Sequence, residues 1–206
     1  MSDPASKHPI DRLVTLAHLG AVRAAEAYAQ LAGEPIHAVE PVLLGRVEGG
    51  TSSRPESSMS GDEGVASTAV VFEFDGCLDA LVGILFPEPS REALVRRIVC
   101  LEEGPLAPEI VESALMEVGN ILASHVASAI ADRLGDRLLP SIPSIEMEAG
   151  DEALAELVLR SVDDGVLWIE SALVDEAGAL RGRLVLVPTG DSRPPESARA
   201  AALGGL

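Results

Sequence analysis

The chain has 206 residues, of which 47% are hydrophobic and 23% are charged, so it can bury a core as one or two compact domains and is not a disordered protein. Acidic residues outnumber basic ones by 33 to 15, and the net charge of −18 repels nucleic-acid phosphates and anionic membrane surfaces. Aromatic residues make up only 2%, which leaves no stacking platform for single-stranded nucleic acid. We therefore expect neither nucleic acid nor a membrane as a partner.

Cysteine usage and the N-terminus indicate a reducing compartment. Cys77 and Cys100 belong to no CxxC or Cys/His ligand pattern, so we expect two reduced core cysteines and no structural metal site. The N-terminal residues contain no apolar signal segment, and no run approaches about 18 uncharged apolar residues. The sequence therefore predicts a soluble cytoplasmic protein.

Hydrophobic periodicity and turn residues predict the order helix, strand, hairpin, helix twice along the chain. The first half is predicted to hold a flexible tail over 1–8, a helix over 11–31 ended by Gly33 and Pro35, a strand over 36–47, a mobile loop at 48–64, a hairpin of 67–74 with 78–86 turning at Asp75-Gly76, and a helix over 91–101. The second half is predicted to hold a helix over 107–134 ended by Gly135, a strand over 142–148, a helix over 151–162, a hairpin of 166–174 with 180–187, and a short terminal helix in 193–206.

One fixed offset aligns the two halves. Gly33 and Gly135 are separated by 102 residues (135 − 33), and so are Pro41 and Pro143 (143 − 41). These residues punctuate the helix end and the strand in each half, so they carry more weight than the aligned alanines. We predict one α/β domain over 9–206, made of pseudo-repeats 9–104 and 107–206 related by a pseudo-two-fold axis. Two long helices would pack on a mixed, largely antiparallel sheet.

A narrow polar stripe runs along the second long helix. Its members, spaced for one helical face, are Ser113, Glu117, Asn120, Ser124 and Ser128. The pair Gly119-Asn120 is locally unfavourable, since glycine alone costs a helix about 1 kcal/mol relative to alanine. Two readings are open: Gly119 permits close packing and Asn120 is an ordinary surface residue, or Gly119 lets another protein approach the helix and Asn120 orients a water.

The residues of this helix carry a resemblance to a known family. The run Ser113-x-x-x-Glu117-x-x-Asn120, followed by twenty-two residues and Pro143, resembles the active-site signature of the CheC/CheX/FliY family of bacterial chemotaxis phosphatases, and is closest to CheC-like members. The surrounding ALMEVGNILASHVASAIA and the later VLWIESALVDEAGALRGRLVLVP are also similar to family segments. The similarity covers nearly the whole chain apart from the tail and the 48–64 loop, and it implies a CheC-like fold.

The resemblance implies an enzyme that hydrolyses the phospho-aspartate of CheY-type response regulators. Asn120 would hold the attacking water, and Glu117 would pair with the regulator's active-site lysine. Ser113, Gly119 and Pro143 would support the motif. The chain would need no metal or cofactor of its own, because the Mg²⁺ sits on the regulator.

The duplication predicts a second site in the first helix, at Asp11, Thr15, His18 and Pro41. Thr15 has no carboxylate to pair with a lysine, and His18 lacks the joint donor and acceptor geometry of an amide. We therefore predict that this first site is degenerate. The alternative function is a non-catalytic adaptor that binds a response regulator or a CheD-like deamidase.

Overall fold

The computed structural model describes residues 9–47, 65–161 and 166–190. The expected tail at 1–8, the loop at 48–64 and the terminal helix in 193–206 lie outside these residues. The described helices are α1 (Pro9–Ala32), α2 (Glu88–Ile98), α3 (Pro108–Leu134) and α4 (Gly150–Ser161). The described strands are β1 (Ile36–Ala38), β2 (Val42–Val47), β3 (Ser67–Gly76), β4 (Ala80–Pro87), β5 (Leu138–Pro140), β6 (Ser144–Glu146), β7 (Val166–Asp175) and β8 (Arg181–Pro188).

The described strands form one sheet in the order β1-β7-β8-β4-β3-β5, with β2 also on β7 and β6 also on β3. These pairings are antiparallel. Strand β4 joins the two halves through β8, with Val82 opposite Leu186. The predicted α/β class, with helices on a largely antiparallel sheet, is confirmed.

The strand order reads the same from either end when corresponding strands are exchanged. Replacing β1 by β5, β7 by β3 and β8 by β4 returns the same sequence of neighbours in reverse. Strand β1 starts 102 residues before β5 (138 − 36), as the offset predicts. The topology therefore supports a duplicated chain, although the segment of the first half that would correspond to α4 lies outside the described residues.

The two long helices lie side by side and antiparallel on one face of the sheet. Midway along the contact, a Cβ placed on Gly20 of α1 would stand 2.8 Å from Val126 Cγ1 of α3. The main core fills the space between helices and sheet. In it the rings of Tyr28 and Phe86 pack edge to face, with their centroids 5.9 Å apart. Helix α4 covers the other face of the sheet and packs on a second core around Trp168.

Helix α3 is long and apolar enough to cross a membrane by length and composition. The apolar side chains along one side of the helix are instead buried against the sheet and α1. That burial is typical of the core helix of a soluble protein.

Several predicted boundaries are wrong. The strand expected over 36–47 is two strands, β1 and β2. In the second half, β5 was not predicted, and β6 is the strand that was expected over 142–148. A proline stands in each interruption, Pro41 and Pro143, where it has no N–H for the ladder. Asp75 and Gly76 lie within β3, and residues 77–79 make the turn instead.

The second group of errors concerns a helix start and a cysteine. Helix α2 begins at Glu88 rather than at residue 91, because Pro87 and Pro89 fit the cap and first turn of a helix. Both cysteines are unpaired, as expected, but only Cys77 is partly buried. Cys100 is exposed with φ of 54°, because it lies in the turn after α2 rather than in the core.

Candidate active site on helix α3

Helix α3 has clear start and stop signals. Pro108 occupies the first turn after the extended Ala107, and Glu109 places a carboxylate at the positive end of the helix dipole. Gly135 ends the helix in the left-handed conformation, with φ of 73° and its N–H donating to the Ala131 carbonyl at 2.8 Å. The helix therefore spans the length that the sequence predicts.

The polar stripe of α3 is exposed along its length. Its members are Ser113, Glu117, Asn120, Ser124 and Ser128. On the opposite side the helix buries Leu115, Val118, Leu122, Val126 and Ile130. The stripe therefore faces away from the protein interior, as predicted.

Glu117 and Asn120 are neighbours on this stripe. Residues three apart differ by about 60° around the axis and about 4.5 Å along it, so both functional groups leave the helix on the same side. Ser124 donates a hydrogen bond to the Asn120 backbone carbonyl at 2.7 Å. Within the described part of the chain, the Glu117 carboxylate and the Asn120 side-chain amide make no hydrogen bond or ion pair. Both groups are therefore available to a partner.

Gly119 performs a packing role. It is buried, and a Cβ built on it would stand 2.6 Å from Val70 Cγ1 on strand β3. The interpretation in which Gly119 lets another protein approach the helix is therefore wrong, because this side of the helix is closed by the sheet. Asn120, the next residue, points to solvent.

Pro143 lies in the short connection between β5 and β6, held against strand β3. The Ser141 N–H donates to the Glu73 carbonyl at 2.8 Å, and the Glu73 N–H donates to Ser141 Oγ at 3.0 Å. Ile142 follows with 91% of its surface exposed, and Pro143 is half-buried. The proline thus ends one strand and starts the next on a connection anchored to the sheet. The sequence alone does not predict this exposure of Ile142, which falls inside the strand expected over 142–148.

The four first-half residues are also placed together on one side of α1 and the loop that follows β1. Asp11 and Thr15 are exposed, and the Thr15 hydroxyl donates to the Asp11 carbonyl at 2.7 Å, which occupies it within its own helix. His18 is half-buried, with Nε2 at 3.8 Å from the Glu40 carboxylate beside Pro41. The arrangement therefore resembles the α3 side in position and differs from it in chemistry.

A buried cluster of charged side chains lies on the other face of the sheet from α3. Arg183 is buried on the α4 side of the sheet, where its Nη2 donates to Asp151 Oδ2 at 2.6 Å and its Nη1 lies 3.5 Å from Glu170 Oε2. Ser67 also donates to Asp151, at 2.7 Å. This ion cluster attaches α4 to the sheet, on the opposite side from Asn120. Among the residues that the structure describes, no group of three or more His, Cys, Asp or Glu is placed to hold a metal ion.

With this geometry in hand, the fold can be compared with solved structures. FliY from Thermotoga maritima superposes with a TM-score of 0.62 at 17% identity, covering 92% of this chain and 93% of that one. CheX from Borrelia burgdorferi, solved in a complex with CheY, BeF3 and Mg²⁺, superposes with a TM-score of 0.56 at 13% identity, covering 85% and 97%. The chain therefore has the fold of CheC-like proteins.

The sequence comparisons point to the same class. The CheC-like family model matches residues 110–147, a segment that contains Ser113, Glu117, Gly119, Asn120 and Pro143. Over 193 residues the chain is 23% identical to the CheY-P phosphatase CheC of Bacillus subtilis, covering 89% of each protein. The resemblance to the CheC/CheX/FliY family is confirmed.

Proposed function

We propose that this protein hydrolyses the phospho-aspartate of a CheY-type response regulator, with one active site at Glu117 and Asn120. The observation that carries the proposal is the exposure of both side chains on one face of α3, without partners in the described structure, inside the segment matched by the family model. The names of two similar proteins support the partner. One is a CheY-P phosphatase, and the other was solved with CheY bound.

Asn120 positions the water. Its amide oxygen accepts a hydrogen bond from the water, which leaves a lone pair of the water oxygen free to point in line at the phosphorus. The new bond joins water oxygen to phosphorus, and the bond between phosphorus and the aspartate oxygen breaks. Inorganic phosphate and a free carboxylate result. Positioning suffices because phosphoryl transfer depends mostly on alignment and charge neutralisation.

Glu117 orients the complex. Its carboxylate pairs with the lysine of the regulator's active site, one turn of helix from the water that Asn120 holds. Mg²⁺ bound by the regulator neutralises the phosphoryl oxygens, so the chain itself supplies no metal ligand. Ser113 and Pro143 keep the helix face and the following strand in place. Such a partner is cytoplasmic, which is where we expect this protein to act.

The first site is degenerate in this proposal. Thr15 offers no carboxylate to a lysine, and its hydroxyl is hydrogen-bonded to Asp11. His18 presents an imidazole beside Glu40. An imidazole differs from an amide in shape and in the placement of its hydrogen-bond donor and acceptor. We expect regulator turnover at α3 and none at α1.

Decay of a phosphorylated CheY-type regulator tests the proposal. The wild-type protein should accelerate the decay, and Asn120→Ala should not. If the wild type binds a regulator loaded with BeF3 and Mg²⁺ but leaves the decay rate unchanged, the protein is an adaptor. In that case the alternative partner, a CheD-like deamidase, becomes the next one to titrate.

A further inference from the structure

A small open cavity lies where the N-terminal end of α1 meets the C-terminal end of α3. Its volume is about 110 Å³, and it is lined by Arg12, Thr15, Leu16, Arg133 and Leu134. Two of these five side chains are cationic and none is anionic. This is unusual in a chain where 33 acidic residues outnumber 15 basic ones.

The corresponding end of the other half has the opposite charge. At the 102-residue offset, Arg12 and Thr15 of α1 correspond to Ala114 and Glu117 of α3, and Arg133 corresponds to Leu31. Arg12, Thr15 and Arg133 together carry a net charge of +2 around the cavity. Their counterparts Ala114, Glu117 and Leu31 together carry a net charge of −1. The first half has therefore exchanged the carboxylate of the proposed active site for a hydroxyl flanked by two guanidinium groups.

Helix electrostatics does not explain Arg12. It is the fourth residue of α1, where the helix dipole disfavours a cation. Its exposed side chain forms no ion pair with the described residues, and neither does that of Arg133. By contrast, Arg23 on the same helix pairs with Glu26 at 2.7 Å. Arg12 and Arg133 thus supply a positive charge that the described fold leaves unneutralised.

We propose that this cavity, defined by Arg12, Thr15 and Arg133, binds a phosphate group, as inorganic phosphate or a phosphate monoester. Guanidinium groups form bidentate hydrogen bonds with phosphate oxygens, and two of them match a dianion. The cavity is large enough for a phosphate group, and its opening to solvent leaves room for the organic part of a monoester. Because both arginines are exposed to solvent, binding is expected to be weak and to weaken further as salt is added.

The proposal is independent of the phosphatase assignment, since it concerns binding at the other end of the helix pair. The test is an NMR titration of the full chain with inorganic phosphate, at ionic strength held constant with chloride. Saturable shifts are expected at the Nε–H groups of Arg12 and Arg133 and at the Thr15 amide. Arg12→Ala and Arg133→Ala should each weaken binding at least fivefold, whereas the matched control Arg23→Ala should leave it unchanged.

A parallel titration with methyl phosphate separates the two sources of the ligand. Equal or tighter binding than that of inorganic phosphate identifies a phosphate monoester as the ligand, and weaker binding identifies the free ion. Either result supports the site. Shifts that do not saturate, that are as large at Arg23, or that centre on Asn120 would overturn it.

Discussion

Gly119 and Val70 are in such close contact that no side chain fits between them: a Cβ on Gly119 would stand 2.6 Å from Val70 Cγ1. Val70 also pairs across the sheet with Ile145, two residues after Pro143. One residue of β3 therefore contacts both parts of the motif, the helix before Asn120 and the strand after Pro143. The glycine that looks unfavourable for a helix is the residue that lets the helix reach the sheet.

Gly119→Ala should destabilise the protein despite the higher helix propensity of alanine. Overpacking against a β-branched residue costs about 1–3 kcal/mol, and the propensity gain returns about 1 kcal/mol. We expect a net loss of about 1 kcal/mol in urea unfolding followed by the fluorescence of Trp168, the single tryptophan. The double variant Gly119→Ala/Val70→Ala should show positive coupling, because the second change removes the obstructing methyl groups. Additive losses would mean that the contact is not the cause.

Tyr28→Phe should alter stability only at alkaline pH. Burial, and then the nearby Asp175, raise the pKa of the Tyr28 phenol above its usual value of about 10. Above that pH the unfolded chain loses the proton while the folded chain keeps it, so the free energy of unfolding falls as pH rises. The slope for one proton approaches about 1.4 kcal/mol per pH unit.

At neutral pH the phenylalanine variant should be about as stable as wild type, since the Tyr28 hydroxyl is buried without a hydrogen-bond partner in the described structure. Urea unfolding at pH 7 and at pH 11 checks both statements. Because Tyr28 is the only tyrosine, its absorbance also reports the titration directly. A Tyr28 pKa near the usual value of about 10 in the folded state would contradict the burial of its side chain.

Asp151→Asn should be destabilising. The change removes the carboxylate to which Arg183, which is 2% exposed, donates through Nη2, and leaves Glu170 as the buried carboxylate near Arg183, so the expected cost is that of losing charged hydrogen bonds, about 1.5–3 kcal/mol. Glu156→Gln is the matched control, because Glu156 pairs with Arg160 on the exposed face of the same helix. Its effect should stay below about 0.5 kcal/mol. Equal losses in chemical denaturation would contradict a special role of the buried pair.

Ile142→Asp should weaken the interaction with the regulator and leave the fold intact. The side chain is 91% exposed directly before Pro143 of the proposed motif, and we expect it to contact the docked regulator. KM for the phosphorylated regulator should rise at least fivefold while kcat stays within twofold, because Ile142 lies apart from the reacting atoms. Val39→Asp is the control, since Val39 is 44% exposed in the corresponding connection of the first half. A fall in kcat alone would contradict this assignment.

The long helices and the hairpins could be predicted because their signals are long or local. Helix α3 reads as a helix for 27 residues and ends at a glycine with positive φ. Strands β1 and β5 have three residues each, too few for a period to be visible. Gly76 resembles a turn residue, but the structure uses it inside β3, where a Cβ would come within 2.2 Å of the Arg137 carbonyl oxygen. Such close approaches depend on residues about sixty positions away, which no local pattern contains.

The same distinction holds for the site residues: those placed by a local pattern could be predicted, and those placed by contacts between distant segments could not. The stripe that carries Glu117 and Asn120 could be predicted because helical spacing alone places them on one face. The cavity of Arg12 and Arg133 could not, since it depends on the antiparallel contact of two helices. The exposed position of Ile142 depends likewise on how Ser141 is anchored to Glu73.

The most direct measurement is the dephosphorylation rate of a phosphorylated CheY-type regulator with equal amounts of wild type, Asn120→Ala, Glu117→Ala and His18→Ala. Ser124→Ala serves as the matched surface control on the same stripe. The account predicts that Asn120→Ala lowers the acceleration about 100-fold, that Glu117→Ala also lowers it, and that His18→Ala and Ser124→Ala leave it within twofold of wild type. Acceleration that survives in Asn120→Ala, or that is lost in His18→Ala, would contradict a single active site on α3.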